Sequence, residues 1–375
     1  MTLQTAQIQV PDGFIDLGRG DPDLNLLPLD MLHQAAQNRL SQSDNTFLQY
    51  GTEQGDGYFR AALANFLSQK YNFAVDFETL FVTSGISAGL DLICTLLTKP
   101  GDVIFVEEPS YFLALKIFAD HGLQVASIRT DEAGLVIDDL AHALKESKPK
   151  FVYVIPTFQN PGGRTLSQER REQLVSLAKE HDFLILADEV YQFLNYTQKP
   201  PNSFASFIDS EHVISLGSFS KILAPGLRLG WLQTHASIIN KITSAGVLDS
   251  GGGMNPFTSA IVRNVIESGG LDKNIEALNQ IYKKRVKSMD EYLRKHLSAA
   301  EFETPHGGYF FWIRLPGVDV GELRKKAQAH QVGLRQGLLF SSNQGLSDYM
   351  RLSISFYDAN DIEQGVIRLS ECVKK

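Results

Sequence analysis

Cysteine is almost missing: the chain holds 2 in 375 residues, Cys94 and Cys372, without CxxC spacing. That excludes a disulfide framework and a zinc knuckle, leaves no metal-ligand set, and points to a reducing compartment. A basic stripe is missing too. Lys and Arg number 35 against 43 Asp and Glu, for a net charge of -8, so nucleic acid is not an expected partner. No apolar run reaches membrane-spanning length, the start Met1 to Gln7 lacks the basic residues and apolar core of a secretory signal, and no Arg precedes Arg19, which argues against a matrix-targeting peptide. The expectation is a cytoplasmic protein with no membrane partner. No G-x-G-x-x-G follows the first expected strand, which removes a nucleotide-binding dehydrogenase. Internal repeats and low-complexity tracts are absent as well.

What is present is an ordinary globular composition, 43% hydrophobic and 21% charged, at a length that calls for a large domain plus a smaller one. Apolar, β-branched runs at 103–106, 125–128, 151–155, 183–187 and 212–216 are separated by helical stretches such as 111–120 and 167–180. Alternation of this kind predicts an α/β fold whose mostly parallel sheet is covered by helices on both faces. Upstream, 53–70 has helical spacing, and Thr83 to Ser87 forms a glycine-bearing turn leading into a helix over 88–97. Residues 1 to about 30 read as an arm. Beyond Gly251 a long polar helix at 274–297, a strand at 308–314 and shorter pieces suggest a smaller α+β domain. The expected division is 1–47 as arm and part of the small domain, 48–250 as large domain, and 251–375 as interdomain helix and C-terminal small domain.

Candidate chemical residues fall at the ends of the expected strands, where open α/β sheets bind ligands. In Ser218-Phe219-Ser220-Lys221 and the following Arg228, one lysine sits among hydroxyls near an arginine in apolar surroundings. Desolvation and a neighbouring cation favour its neutral amine, the form that joins an aldehyde, and the hydroxyls and guanidinium suit a phosphate dianion. That combination suggests pyridoxal phosphate. The run 183–187 ends in Asp188 and Tyr191, a buried carboxylate wanting a cation such as a protonated pyridine nitrogen, and a phenol. Read alone, Asp188 serves equally well as a helix cap. Asn160, in the turn 156–163, and Tyr191 are candidate donors to the ring oxygen of the cofactor. Ser84, Gly85, Ile86 and Ser87 open a helix and aim backbone N–H groups at an anion, though many such turns merely cap helices. Tyr111 is placed to lay its ring on the pyridine or to pack in the core. Arg351 occupies an inward position of a strand-like run, where it needs an anion; a substrate α-carboxylate is favoured over an internal salt bridge.

The ordered set Tyr50, Ser84-Gly85, Tyr111, Asn160-Pro161-Gly162, Asp188 with Tyr191, Ser218-x-Ser220-Lys221, Arg228 and Arg351 resembles the class I/II aminotransferases of the fold-type I pyridoxal phosphate superfamily, over nearly the full length. Gly18-Arg19-Gly20-Asp21-Pro22, Glu108-Pro109-Ser110-Tyr111 and the run from Pro305 to Trp312 look most like the 2-aminoadipate and kynurenine-type enzymes. Two departures are Asn160-Pro161-Gly162-Gly163 in place of Asn-Pro-Thr-Gly, and Arg335-Gln336-Gly337 in place of a Pro-Gly. The resemblance implies a large domain with a seven-stranded type of sheet and ping-pong transfer of an amino group from an L-amino acid to a 2-oxo acid such as 2-oxoglutarate. It makes Lys221 the Schiff-base lysine, Asp188 the pyridine-nitrogen partner, and Asn160 and Tyr191 the ring-oxygen partners. Ser84, Gly85, Ile86, Ser87, Ser218, Ser220 and Arg228 become phosphate-end residues and Tyr111 the stacking ring. Tyr50 would reach the phosphate of a neighbouring subunit in a homodimer. Arg351, Asn160, Arg19 and Gly20 are its substrate-side positions, with Arg19 the anchor for a distal carboxylate. Arg335 meets the substrate side chain or salt-bridges on the surface. A carbon-sulfur β-lyase on the same scaffold would use the same Lys221 and Asp188, and a non-catalytic sensor is a weaker rival because no helix-turn-helix region precedes residue 50.

Overall fold

The computed structural model describes residues 6–7 and 10–373, so the beginning of the expected arm, and most of the stretch inspected for a signal, lie outside the described residues. Thirteen strands occur among those described: β1 (Ile15–Asp16), β2 (Leu80–Thr83), β3 (Val103–Glu108), β4 (Gln124–Asp131), β5 (Gly134–Leu135), β6 (Phe151–Val154), β7 (Leu184–Asp188), β8 (Val213–Ser218), β9 (Gly230–Thr234), β10 (Phe310–Arg314), β11 (Val332–Gly333), β12 (Arg335–Gln336) and β13 (Tyr349–Ser353). Eight of them form one sheet in the order β2-β9-β8-β7-β6-β3-β4-β5. The run from β8 to β4 is parallel, while β9 lies antiparallel to both β8 and β2.

β6 and β8 are buried at every position, as expected for strands covered on both faces. The two-residue period divides them between two cores: Phe151 and Tyr153 pack on one side of the sheet, Val152 and Val154 on the other. The five strands expected from the sequence correspond to β3, β4, β6, β7 and β8. β2 and β9 were not expected. β2 has only four residues and β9 opens on Gly230, so neither announces itself as a run; β9 reverses direction because the loop 219–229 folds the chain straight back. β5 adds a two-residue edge hairpin to β4, giving seven longer strands plus one short one.

Helix starts differ from the expected ones by a few residues. A helix at Leu29–Leu40 was not expected, and the helix expected from 53 begins at Gly57 because the Asp56 carboxylate accepts the Phe59 N–H at 2.6 Å. The next begins at Ile86, just past Gly85, whose φ of 87° only glycine adopts cheaply. The long helix beyond the sheet spans Gly270–His296.

The C-terminal strands form a separate antiparallel sheet, β10-β13-β12, and β1 pairs in parallel with β11. The N-terminal segment therefore packs with the last quarter of the chain. Among the described residues no helix is long and apolar enough to cross a membrane, and both cysteines are free and buried.

Candidate active site

A cavity of about 400 Å³ opens at the C-terminal ends of β6, β7 and β8. Strand register explains which side chains meet there. Asn160 follows β6, Asp188 ends β7 and Ser218 ends β8, three neighbouring strands, so one edge of the sheet presents an amide, a carboxylate and a hydroxyl together. The loop after β8 then lays Ser220, Lys221 and Arg228 along the same opening.

Lys221 Nζ donates to the carbonyl of Gly20 at 2.8 Å and lies 5.4 Å from the Tyr309 ring centre. Burial pushes this amine down to about 8, helped by the Arg351 cation and opposed by Asp21 and Asp188. Asp188, 4% exposed, accepts from the Tyr153 hydroxyl at 2.9 Å and from the Val190 N–H at 3.3 Å. Burial raises its carboxyl to about 6, with both hydrogen bonds pulling it back, so it is ionised at neutral pH. The segment that follows is turns, without a helix for Asp188 to cap, which removes the capping alternative.

Asn160 and Arg351 order one another. Arg351 Nη1 donates to the Asn160 side-chain oxygen at 2.8 Å, and Nη2 donates to the Gly18 carbonyl at 2.7 Å. With its oxygen occupied, the Asn160 amide turns its N–H donors the other way. Arg351 is 3% exposed, stacks 4.0 Å above Phe310, and has no carboxylate partner among the described residues, where its buried Nε also finds no acceptor. A buried guanidinium with a spare donor is a site prepared for an anion. Tyr191 and Tyr111 line the same cavity. Burial holds the Tyr191 phenol well above its usual range and pushes Tyr111 up to about 12, so both remain O–H donors.

The expected phosphate end combines a helix start with the side chains of Arg228, Ser218 and Ser220. Ile86 and Ser87 stand in the first turn of the helix Ile86–Leu97, where N–H groups lack intrahelical acceptors. A Cβ on Gly85 would stand 2.9 Å from Arg228 Nη2, so glycine lets the guanidinium lie against the helix start. Arg228 Nη2 donates to the Ser84 carbonyl at 2.9 Å, and Ser218 Oγ donates to Ser220 Oγ at 2.9 Å. Ser84 and Gly85 act from behind this rim and do not line the cavity; Tyr50 lies outside it, 81% exposed. The residues therefore fit pyridoxal phosphate: an amine whose affinity for its proton is lowered, a buried carboxylate at the cavity wall, outward amide donors and a helix start beside a guanidinium.

Four contributors escaped the sequence reading. Tyr153 sits one strand away from Asp188, a proximity that only sheet register reveals. Phe310 lies beneath Arg351. Asn255 donates to Ser84 Oγ at 3.1 Å, tying the chain after 251 to the phosphate end. Asp21 accepts from Arg19 through both Nε and Nη2, at 3.1 and 2.9 Å, while Arg19 lines the cavity as expected of a substrate-side position. Arg335 is likewise held, with Nη1 and Nη2 each 3.2 Å from an oxygen of Asp16.

A family model described as "Aminotransferase class I and II" matches residues 12–369. Aromatic-amino-acid aminotransferase 1 of Thermococcus litoralis is 34% identical over 369 residues, covering 96% of this chain and 88% of that protein. The crystal structure of Pyrococcus horikoshii kynurenine aminotransferase superposes with a TM-score of 0.90 at 32% identity, covering 96% of this chain and 90% of that one. The α-aminoadipate aminotransferase of Thermus thermophilus, complexed with N-(5'-phosphopyridoxyl)-L-leucine, gives a TM-score of 0.88 at 27% identity, covering 96% and 92%. With family, fold and cavity in agreement, the chain belongs to the class I and II aminotransferases, enzymes of the fold-type I architecture that work with pyridoxal 5'-phosphate.

Proposed function

We propose that the chain transfers the amino group of an L-amino acid, from a broad range that includes aromatic amino acids and 2-aminoadipate, to a 2-oxo acid such as 2-oxoglutarate, by a ping-pong mechanism. The observation that carries this reading is that the Lys221 amine shares one cavity with Asp188 and with an Arg351 that has no carboxylate partner among the described residues. When bound, the cofactor supplies an aldehyde that takes up the amino group and a ring that stabilises negative charge at the α-carbon. Everything else falls to the chain's own groups. Arg351 holds the substrate carboxylate. With the cofactor bound, Asp188 would hold the ring nitrogen in the protonated form, Asn160 and Tyr191 would be the donors to the ring oxygen, and Tyr111 would lie against the ring. Lys221, near its midpoint at about 8, is poised to take a proton from the α-carbon and return it elsewhere.

Arg351→Ala is expected to raise KM for both substrates by about 100-fold, because it removes charge-assisted hydrogen bonds made to the substrate in ground and transition states alike. Steady-state kinetics with phenylalanine and 2-oxoglutarate test this; an unchanged KM with depressed kcat would place the carboxylate elsewhere.

The same reading includes a cytoplasmic homodimer. Leu48 at 66%, Tyr50 at 81%, Tyr58 at 72%, Val247 at 64% and Phe257 at 44% are exposed apolar groups, and the Gly51–Gly253 bridge connects them to the phosphate end. A second copy covering this face would bring Tyr50 of the partner subunit to the exposed Arg228 and Ser87. Sedimentation should give twice 41.6 kDa; a monomer with full activity would contradict the shared site.

A further inference from the structure

We infer that Gln159, which stands behind the cavity wall, is a positioning residue for both Asn160 and Tyr111: its buried side-chain amide ties the turn that carries the one to the strand end that carries the other. The inference rests on the aminotransferase reading above and adds to it a residue that does not itself meet the ligands.

Both polar atoms of the Gln159 side chain are engaged. Nε2 donates to the Pro109 carbonyl at 2.6 Å and to Glu107 Oε2 at 3.2 Å, and Oε1 accepts the Gly162 N–H at 2.8 Å. The backbone closes the same turn: the Gln159 N–H donates to the Arg164 carbonyl at 2.8 Å, and the Gln159 carbonyl accepts the Gly163 N–H at 2.7 Å. Glu107 is anchored in its turn. The same Oε2 accepts the Ile155 N–H at 2.9 Å, just past the end of β6. Gln159 and Glu107 are 3% and 2% exposed, so bulk water does not stand in for these partners, and a side chain without the amide leaves buried groups unpaired.

Position gives the amide its reach. Asn160 is the next residue along, and its side-chain oxygen holds Arg351 Nη1 at 2.8 Å. Tyr111 follows Pro109 by two positions. Asn160 and Tyr111 line the cavity and Gln159 does not, so one amide sets the separation between the expected ring-oxygen donor and the expected stacking ring. The departure from Asn-Pro-Thr-Gly belongs to the same arrangement. A Cβ on Gly162 would stand 2.8 Å from Gln159 Oε1, inside ordinary contact distance, so glycine here lets the amide turn inward and take the Gly162 N–H. Gly162 is not among the residues of positive φ; what it supplies is space and not an unusual backbone conformation.

The test uses Gln159→Met, which keeps the volume and loses the amide, on protein loaded with pyridoxal 5'-phosphate. Two readouts follow the two ends of the Asn160 side chain. A donor to the ring oxygen disperses the charge there and weakens its hold on a nearby proton, so with Asn160 displaced the pH midpoint of the visible absorbance change should rise by about one unit. The calorimetric dissociation constant of 3-phenylpropionate, an unreactive carboxylate, should rise about tenfold as Arg351 loses its brace. Gly162→Ala, which crowds the Gln159 oxygen, should move both readouts in the same direction, and it takes over the test should Gln159→Met fail to fold. A variant with native circular dichroism in which either readout stays at the parental value overturns the inference while leaving aminotransfer from phenylalanine intact. A parent protein that gains no visible absorbance with the cofactor and transfers no amino group overturns the aminotransferase reading itself.

Discussion

Replacing Lys221 with alanine is expected to lower kcat by about four orders of magnitude, the upper end of what a positioned acid-base group contributes. Lys221 has two tasks, capture of the cofactor aldehyde and movement of the α-proton. Among the described residues no neighbour can inherit them: the other groups around the amine are the Gly20 carbonyl, the Tyr309 ring, the Asp21 and Asp188 carboxylates and the Arg351 guanidinium. The loss should not come from unfolding. The buried amine titrates near 8 against its usual 10.5, so the native state carries a desolvation cost in full below about pH 8. That cost shrinks as pH rises from 8 toward 10.5, where the unfolded chain binds more protons than the folded one. The cofactor-free variant should therefore melt no lower than the parent at pH 7, and the parent should gain on it as the solution is made alkaline. Melting curves at pH 7 and pH 9.5, beside single-turnover rates, separate chemistry from stability; a variant that melts early at pH 7 would assign the loss to structure.

The second large effect is expected at Asp188. Asp188→Asn keeps shape but removes charge, and kcat should fall by about a thousandfold, the scale set by losing one preorganised electrostatic contact to a reacting system. The local geometry adds to the loss. The carboxylate accepts from the Tyr153 hydroxyl on one oxygen and from the Val190 N–H on the other. An asparagine replaces one accepting oxygen with an NH2, which opposes the Val190 N–H or a protonated ring nitrogen, or obliges the Tyr153 hydroxyl to turn and accept. Binding of the cofactor to Asp188→Asn should weaken less than turnover does, because the phosphate end is untouched. A variant that retains more than a tenth of parental kcat would show that ring protonation does not govern the rate.

The parallel part of the fold was legible because β3, β6, β7 and β8 are apolar runs with turn residues at their ends, the pattern that burial on both faces requires. The same ends located Asn160, Asp188, Ser218 and Lys221, since strand termini and not strand interiors carry polar side chains into a crevice. Short strands were less legible. β2 and β9 owe their pairing to the reversal at 219–229, a tertiary event with no local periodicity. Pairings across long sequence separations were hidden for the same reason. Tyr153 reaches Asp188 only through the β6–β7 register, and Asn255 reaches Ser84 across 171 residues. The Arg19–Asp21 ion pair was not foreseen, although the sequence displays the cation and its neighbour Asp21 two positions on. Polar partners close in sequence are frequently partners in space, and that was the available clue.

The central claim is that one amine, Lys221 Nζ, joins the cofactor. Incubation with pyridoxal 5'-phosphate, reduction with borohydride and peptide mapping by mass spectrometry tests it in a single step. The account predicts a phosphopyridoxyl mass on the peptide containing Ser218 to Arg228, localised to Lys221; label on another lysine, or no label on folded protein, would contradict it.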